Sequence, residues 1–117
     1  MAAPGDRERL LHILDAIDKI EVALRTYDQA RFQQDWEKQL VIERLIEIIG
    51  EAVNHLSEDL QTNHPQIPWP QIVGMRNLVS HEYFRVDAVI VWNTTQGSIP
   101  RLRSAIQAIF DSLAAAK

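Results

Sequence analysis

Polar and apolar residues follow one another with the period of an α-helix along most of the chain. From Asp6 to about Tyr27 the apolar positions are Leu10, Ile13, Leu14, Ile17, Ile20 and Leu24. Intervals of three and four put all six on one face. Asp6 is placed to cap this helix, and Glu8 suits its positive N-terminal end. A second helical pattern runs from about Gln29 to Leu60. Val41, Leu45, Ile48 and Ala52 form one row, and Ile42, Ile49, Val53, Leu56 and Leu60 form an adjacent one. Phe32 and Trp36 extend the apolar surface toward its start. Two rows make a stripe wider than one neighbour needs. Such a helix either sits centrally in a bundle or gives one row to another chain. Gly50 lies mid-helix, where glycine costs about 1 kcal/mol against alanine. It implies close helix–helix contact, or space kept for a ligand or a neighbouring catalytic group.

Asn63-His64-Pro65-Gln66-Ile67-Pro68-Trp69-Pro70 breaks the pattern. Three prolines in six residues cannot continue a helix. The segment predicts an ordered corner with Ile67 and Trp69 in the core. A shorter helix follows from Pro70 to Ser80. Phe84-Arg85-Val86-Asp87 reads as a turn, with Asp87 capping a helix through about Thr95. Ser98 is placed to cap a last helix, with Pro100 in its first turn and Leu102, Ile106, Ile109, Phe110 and Leu113 on its apolar face. No segment alternates as a strand would. The expected fold is all-α, a single domain over residues 1–117 with two long antiparallel helices and about three shorter ones.

Composition narrows the chemistry. The 117 residues are 46% hydrophobic, enough for one core. Cysteine is absent, which excludes disulfides, thiolate catalysis and cysteine-ligated metals. The first six residues lack the basic start and apolar run of a signal peptide, and no stretch reaches membrane-spanning length. A cytoplasmic protein with no membrane partner is expected. The four histidines, His12, His55, His64 and His81, have no obvious metal-ligand spacing, and the four glycines form no phosphate loop. Neither a metal nor another cofactor is expected.

The net charge of −4 weighs at first against a nucleic-acid partner. Its distribution reverses that. Residues 71–103 hold Arg76, Arg85, Arg101 and Arg103 against only Glu82 and Asp87. The acidic surplus lies elsewhere. A locally basic segment fits a small cleft that grips a few phosphates.

That segment also holds the densest chemistry: Arg76, Asn77, His81, Glu82 and Tyr83 fall within eight residues. One reading is a solvated helix end with His81 near the negative pole of the dipole. The other is a site. On an unbroken helix Arg76 and His81 would stand about 140° apart around the axis. They converge if the helix ends near His81, or if a symmetric dimer faces two copies of the segment across one cleft. Histidine transfers protons near neutral pH, and the arginine fork fits phosphate. Together they suit RNA cleavage without a metal, with the ribose 2′-hydroxyl as nucleophile.

At these residues the sequence resembles the HEPN superfamily, and more closely its HepT-like branch. Arg76-Asn77-Leu78-Val79-Ser80-His81 follows the motif of Arg, a polar residue, a few more, then His. Tyr83 matches the HepT-like extension. Ile48-Ile49-Gly50-Glu51-Ala52 resembles the signature of the long helix. Ile67-Pro68-Trp69 followed by Gly74-Met75-Arg76-Asn77 resembles the corner and the active-site helix. Phe84, Val86-Asp87, Trp92, Pro100 and Leu102 continue the pattern in order, so the match spans about Leu10 to Ala108. Ser80 departs from it, standing where relatives more often carry an apolar residue.

The resemblance implies an all-helical homodimer and a metal-independent endoribonuclease toxin of a type VII-like toxin–antitoxin module. Arg76 and His81 would be catalytic, and Asn77 would orient them. Tyr83 would be the tyrosine that a minimal nucleotidyltransferase antitoxin adenylylates, placing phosphate charge where RNA must bind. Glu51 would play a supporting part, at Arg76 or at the dimer contact. Two other readings stay open. One is a non-catalytic nucleotide- or substrate-binding partner of a nucleotidyltransferase. The other is a plain structural dimer.

Overall fold

The first helix is anchored at its start by a buried carboxylate. Asp6 is 1% exposed and accepts hydrogen bonds from the Ser57 backbone N–H at 2.9 Å and the Ser57 hydroxyl at 2.6 Å. The computed structural model describes residues 5–79 and 87–115. Asp6 does not cap its own helix, as the sequence suggested. Gly5, at φ 91°, occupies the N-cap without a side-chain bond. Asp6 is instead the first helical residue and joins the N-terminus of α1 (Asp6–Leu24) to a turn fifty-one residues away.

The segment expected as one helix over 29–60 is three. These are α2 (Gln29–Gln34), α3 (Trp36–Asn54) and α4 (Glu58–Asn63). Each break carries its own cap. Asp28 accepts from the Arg31 N–H at the start of α2. Asp35 leaves helical geometry at φ −116°, ψ 87°, and accepts from the Lys38 N–H at the start of α3. The Gln39 side-chain amide donates back to the Phe32 and Gln33 carbonyls, satisfying the end of α2. Ser57 caps α4 through the Leu60 N–H. The apolar period runs on through these breaks because Phe32, Leu56 and Leu60 still point inward.

The proline corner folds as expected. Ile67 and Trp69 are buried, and the Trp69 indole N–H donates to the Gln61 and His64 carbonyls. α5 (Trp69–Val79) leaves it. After residue 87 come α6 (Ala88–Gln96), capped by Asp87 through the Val89 N–H, and α7 (Ser98–Ala115). Ser98 is the first residue of α7 itself. The all-α expectation holds, but with seven helices among the described residues, three of them long.

End-to-end contacts set the packing. Asp6 at the start of α1 meets Ser57 beyond the end of α3. Tyr27 beyond the end of α1 donates its hydroxyl to Asp35 just before α3. The two helices are therefore antiparallel. Arg103 early in α7 pairs with Asp18 and Glu21 late in α1, while Arg7 lies over the Phe110 ring, so α7 is antiparallel to α1 as well. α5 packs along α3. Between them sit Leu10, Ile13 and Ile17 of α1, Ile42, Ile46, Ile49 and Val53 of α3, and Ile106 of α7, all fully buried. Each stabilises the fold by about 1.5–3 kcal/mol relative to exposure. Phe32 and Trp92, with ring centroids 5.6 Å apart, tie α2 to α6.

The two rows of α3 have different fates. The inner row is buried. The outer row is not: Val41 is 48% exposed, and Leu45, Ile48 and Ala52 are half-buried. Trp36 and Leu40 beside it are 67% and 55% exposed.

Candidate active site

α5 is held against α3 by an absence of side chain. A Cβ built on Gly50 would stand 2.9 Å from the Arg76 Cβ, 3.3 Å from its backbone N and 3.5 Å from the Val73 carbonyl oxygen. Real Cβ atoms do not come that close, so only glycine lets the helices approach at this point. The close contact exists, and the neighbour it admits is the residue expected to be catalytic.

Arg76 is half-buried in the last turn of α5, and Asn77 beside it is exposed. The arginine stem is thus held by α3 while the amide of Asn77 is open to a ligand. The third face of this helix carries Gly74, whose missing Cβ would meet no described atom within 4 Å. An arginine whose stem is fixed in the last turn of a helix is a side chain suited to gripping phosphate. His81 and Tyr83 lie outside the described residues, as does the rest of the segment 80–86.

Glu51 is placed elsewhere. It is exposed and lines a hollow of about 550 Å³ between α1 and α3, together with Glu8, Arg9, His12, Ile48 and His55. Gly50 faces Arg76, and the next residue, about 100° further around α3, faces this hollow. Ile48 and Ala52 carry the half-exposed apolar row of α3 into the same hollow. Among the described residues no three His, Asp or Glu side chains gather as a metal-binding group, and no helix is long and apolar enough to cross a membrane.

Three residues that line a hollow along α5 were not singled out as candidates from the sequence: Gln66, Gln71 and Met75. Gln71 and Met75 are four residues apart on α5, on the face next to that of Arg76, so helical spacing was the signal that could have found them.

Comparison with known proteins identifies the family. The model of the family described as "Ribonuclease HepT-like" matches residues 13–109. A protein of Thermococcus cleftensis named "Probable ribonuclease HepT" is 35% identical over 101 residues, covering 86% of this chain and 92% of that protein. A protein of Caldanaerobacter subterraneus named "Putative RNase TTE0752" is 34% identical over 103 residues, covering 88% and 92%. One of Methanocaldococcus jannaschii, "Putative RNase MJ0125", is 32% identical over 104 residues, covering 89% and 90%. No solved structure gives a significant match. The family model runs from within α1 to within α7 and covers Gly50 and Arg76, and the chain belongs to the HepT-like ribonuclease family.

Proposed function

We propose that the chain is a metal-independent endoribonuclease, acting in the cytoplasm as the toxin of a type VII-like toxin–antitoxin module. The observation that carries this reading is Arg76 seated on Gly50 at the end of α5, in a chain of the HepT-like ribonuclease family.

The chemistry needs only proton transfer and charge stabilisation. His81 takes the proton of a ribose 2′-hydroxyl as its oxygen attacks the adjacent phosphorus. The bond from phosphorus to the 5′-oxygen breaks, that oxygen takes a proton from water, and His81 returns its own proton to solvent. The products are a 2′,3′-cyclic phosphate and a 5′-hydroxyl end. Arg76 stabilises the charge that builds on the phosphoryl oxygens between these events. Asn77 orients the pair.

A homodimer would bring two copies of the motif to one cleft. The exposed Trp36, Leu40 and Val41 and the half-buried row behind them supply an apolar face for it. Glu51 borders that face, which favours a supporting role at the dimer contact over one at Arg76. The cognate nucleotidyltransferase would adenylylate Tyr83 and repel the RNA backbone from the cleft.

The test is purified protein with RNA in chelator, beside H81A, followed by incubation with the nucleotidyltransferase and ATP. Cleavage by the parent alone and an AMP-sized mass on Tyr83 are expected. Nucleotide retained without covalent change, with no cleavage, would favour the binding-partner reading. Inert protein with Tyr83 unmodified overturns the proposal.

A further inference from the structure

α5 and α7 diverge beyond the proline corner and leave a groove of about 350 Å³ between them. Its floor is apolar and largely buried: Ile67, Ile72 and Leu102, with Met75 and Ala105 on the flanks. Its mouth is polar: Gln66, Gln71, Ser98 and Arg101. Among the described residues, none of those four side chains has a hydrogen-bond or ion-pair partner. An apolar slot with a few convergent polar groups is the usual form of a small-ligand site, and this volume lies at the lower end of the usual range.

We propose that this groove binds the base of one unpaired RNA nucleotide flanking the cleavage point, with Arg101 on its phosphate. The inference rests on the ribonuclease reading and deepens it by naming a substrate subsite. Three observations carry it. The first is the lining itself. Aliphatic and thioether walls take the face of a base, while the Gln66 and Gln71 amides each offer donors and an acceptor to its edge. The second is charge. Arg101 belongs to the locally basic stretch of the chain, and a guanidinium with no described protein partner at the rim of an apolar slot suits an anion attached to an apolar ring. The third is position. Met75 lines the groove and Arg76 is the next residue, so the slot and the phosphate-gripping arginine occupy adjoining faces of one helical turn. A nucleotide seated in the groove therefore hands its neighbouring phosphate toward Arg76.

The same chemistry could come from a free nucleotide, so the test has two arms. In the first, each nucleoside 5′-monophosphate is titrated into the full-length protein and followed by amide chemical shifts. Saturable shifts at Gln71, Met75, Arg101 and Ala105 are expected, weakened about tenfold in R101Q. In the second, cleavage of a short RNA is compared with the same RNA carrying one abasic nucleotide beside the cut. The abasic substrate and R101Q should each raise KM about tenfold with kcat little changed, and combining them should add little. A105L, which fills the groove, should do the same while the thermal midpoint is monitored. R25Q, on an exposed arginine at the far end of α1, is the charge-matched control.

Monophosphate binding without an abasic effect would assign the groove to a free nucleotide and overturn the RNA assignment. Shifts absent from the groove, with RNA cleavage intact in all variants, overturn the inference and leave the ribonuclease reading standing. A changed elution volume for R101Q or A105L with unchanged RNA use marks the groove as a protein contact and also overturns it. Failure of the parent to cleave RNA defeats the functional proposal itself. The titration still decides whether the groove takes a nucleotide.

Discussion

Gly50 of α3 and Arg76 of α5 touch through a missing Cβ: a methyl placed on Gly50 would stand 2.9 Å from the Arg76 Cβ. The atoms in the way belong to the stem and backbone of Arg76, not to the end of a flexible side chain. The only relief is movement of α5 away from α3. Alanine would gain about 1 kcal/mol of helix propensity, and overpacking of this kind costs about 1–3 kcal/mol. G50A is therefore expected to be neutral to about 2 kcal/mol less stable. Its larger effect should fall on activity, because Arg76 moves with the helix. A rate loss of about tenfold or more, with the thermal midpoint lowered by no more than about 8 °C, is the expected signature.

Replacing the functional groups directly separates their roles. R76A should lose about 10²–10³-fold in kcat, the usual cost of removing one donor to a developing anion. R76K should recover little of it, because the ammonium lacks the planar fork. H81A should lose about 10²–10⁴-fold through proton transfer. Y83F should keep cleavage but resist adenylylation, so that it stays toxic when the antitoxin is co-expressed. Growth curves with and without the antitoxin read this out.

The Asp6–Ser57 link is the long-range tie that closes α1 on the turn between α3 and α4. D6A leaves the Ser57 N–H and hydroxyl without a charged acceptor. A loss of about 2 kcal/mol is expected, or roughly 8 °C in thermal midpoint for a domain of this size. S57A should cost less, and D6A/S57A should cost clearly less than the two separate losses added together. A double-mutant cycle by urea unfolding checks the coupling.

The Tyr27–Asp35 corner makes stability depend on pH at both extremes. The Tyr27 hydroxyl, and after it the Lys38 backbone N–H, hold the Asp35 carboxyl below its ordinary range. The same hydrogen bond to Asp35, helped by partial burial, holds the Tyr27 phenol above its own. A lowered carboxyl contributes stability above its unfolded value, near pH 4, and loses it as pH falls through the folded value. A raised phenol contributes below its unfolded value, near pH 10, and loses it as pH rises through the folded value. Both contributions are intact between these limits. Y27F should abolish the alkaline limb of the curve of urea midpoint against pH and flatten the acid limb in part, because the Lys38 N–H still bonds Asp35, whereas D35N should abolish the acid limb and flatten the alkaline one.

Most of the fold was legible because burial repeats with the helical period. All six apolar positions read from α1 are buried, as are Ile67 and Trp69 at the corner. The breaks at Asp35 and Ser57 were not legible, because periodicity records which side chains point inward and not whether the axis between them bends. Phe32 and Leu60 keep the phase of the core across two interruptions that only the caps reveal. Asp6 misled for a related reason. An acid at a helix start reads as a cap, and nothing local announces a partner fifty-one residues away. At the candidate site, Gly50 could be read as a close approach, but not which helix approached. Glu51 matched the same signature, yet one step around the helix turns it from Arg76 to the hollow beside α1. The groove between α5 and α7 was invisible because its lining comes from two stretches, 66–75 and 98–105, that are far apart in the chain.

The central claim is that Arg76 and His81 make RNA cut itself through its own 2′-hydroxyl. Its most direct test uses a short RNA, with one strand carrying a single 2′-deoxynucleotide at the cut, incubated in chelator with the parent protein, R76A and H81A. Mass spectrometry then reads the new ends. The account predicts 2′,3′-cyclic phosphate and 5′-hydroxyl ends from the parent alone, and none from the deoxy-substituted strand at that position. Cleavage of the deoxy-substituted strand at the same place, or full activity in R76A and H81A, would contradict it.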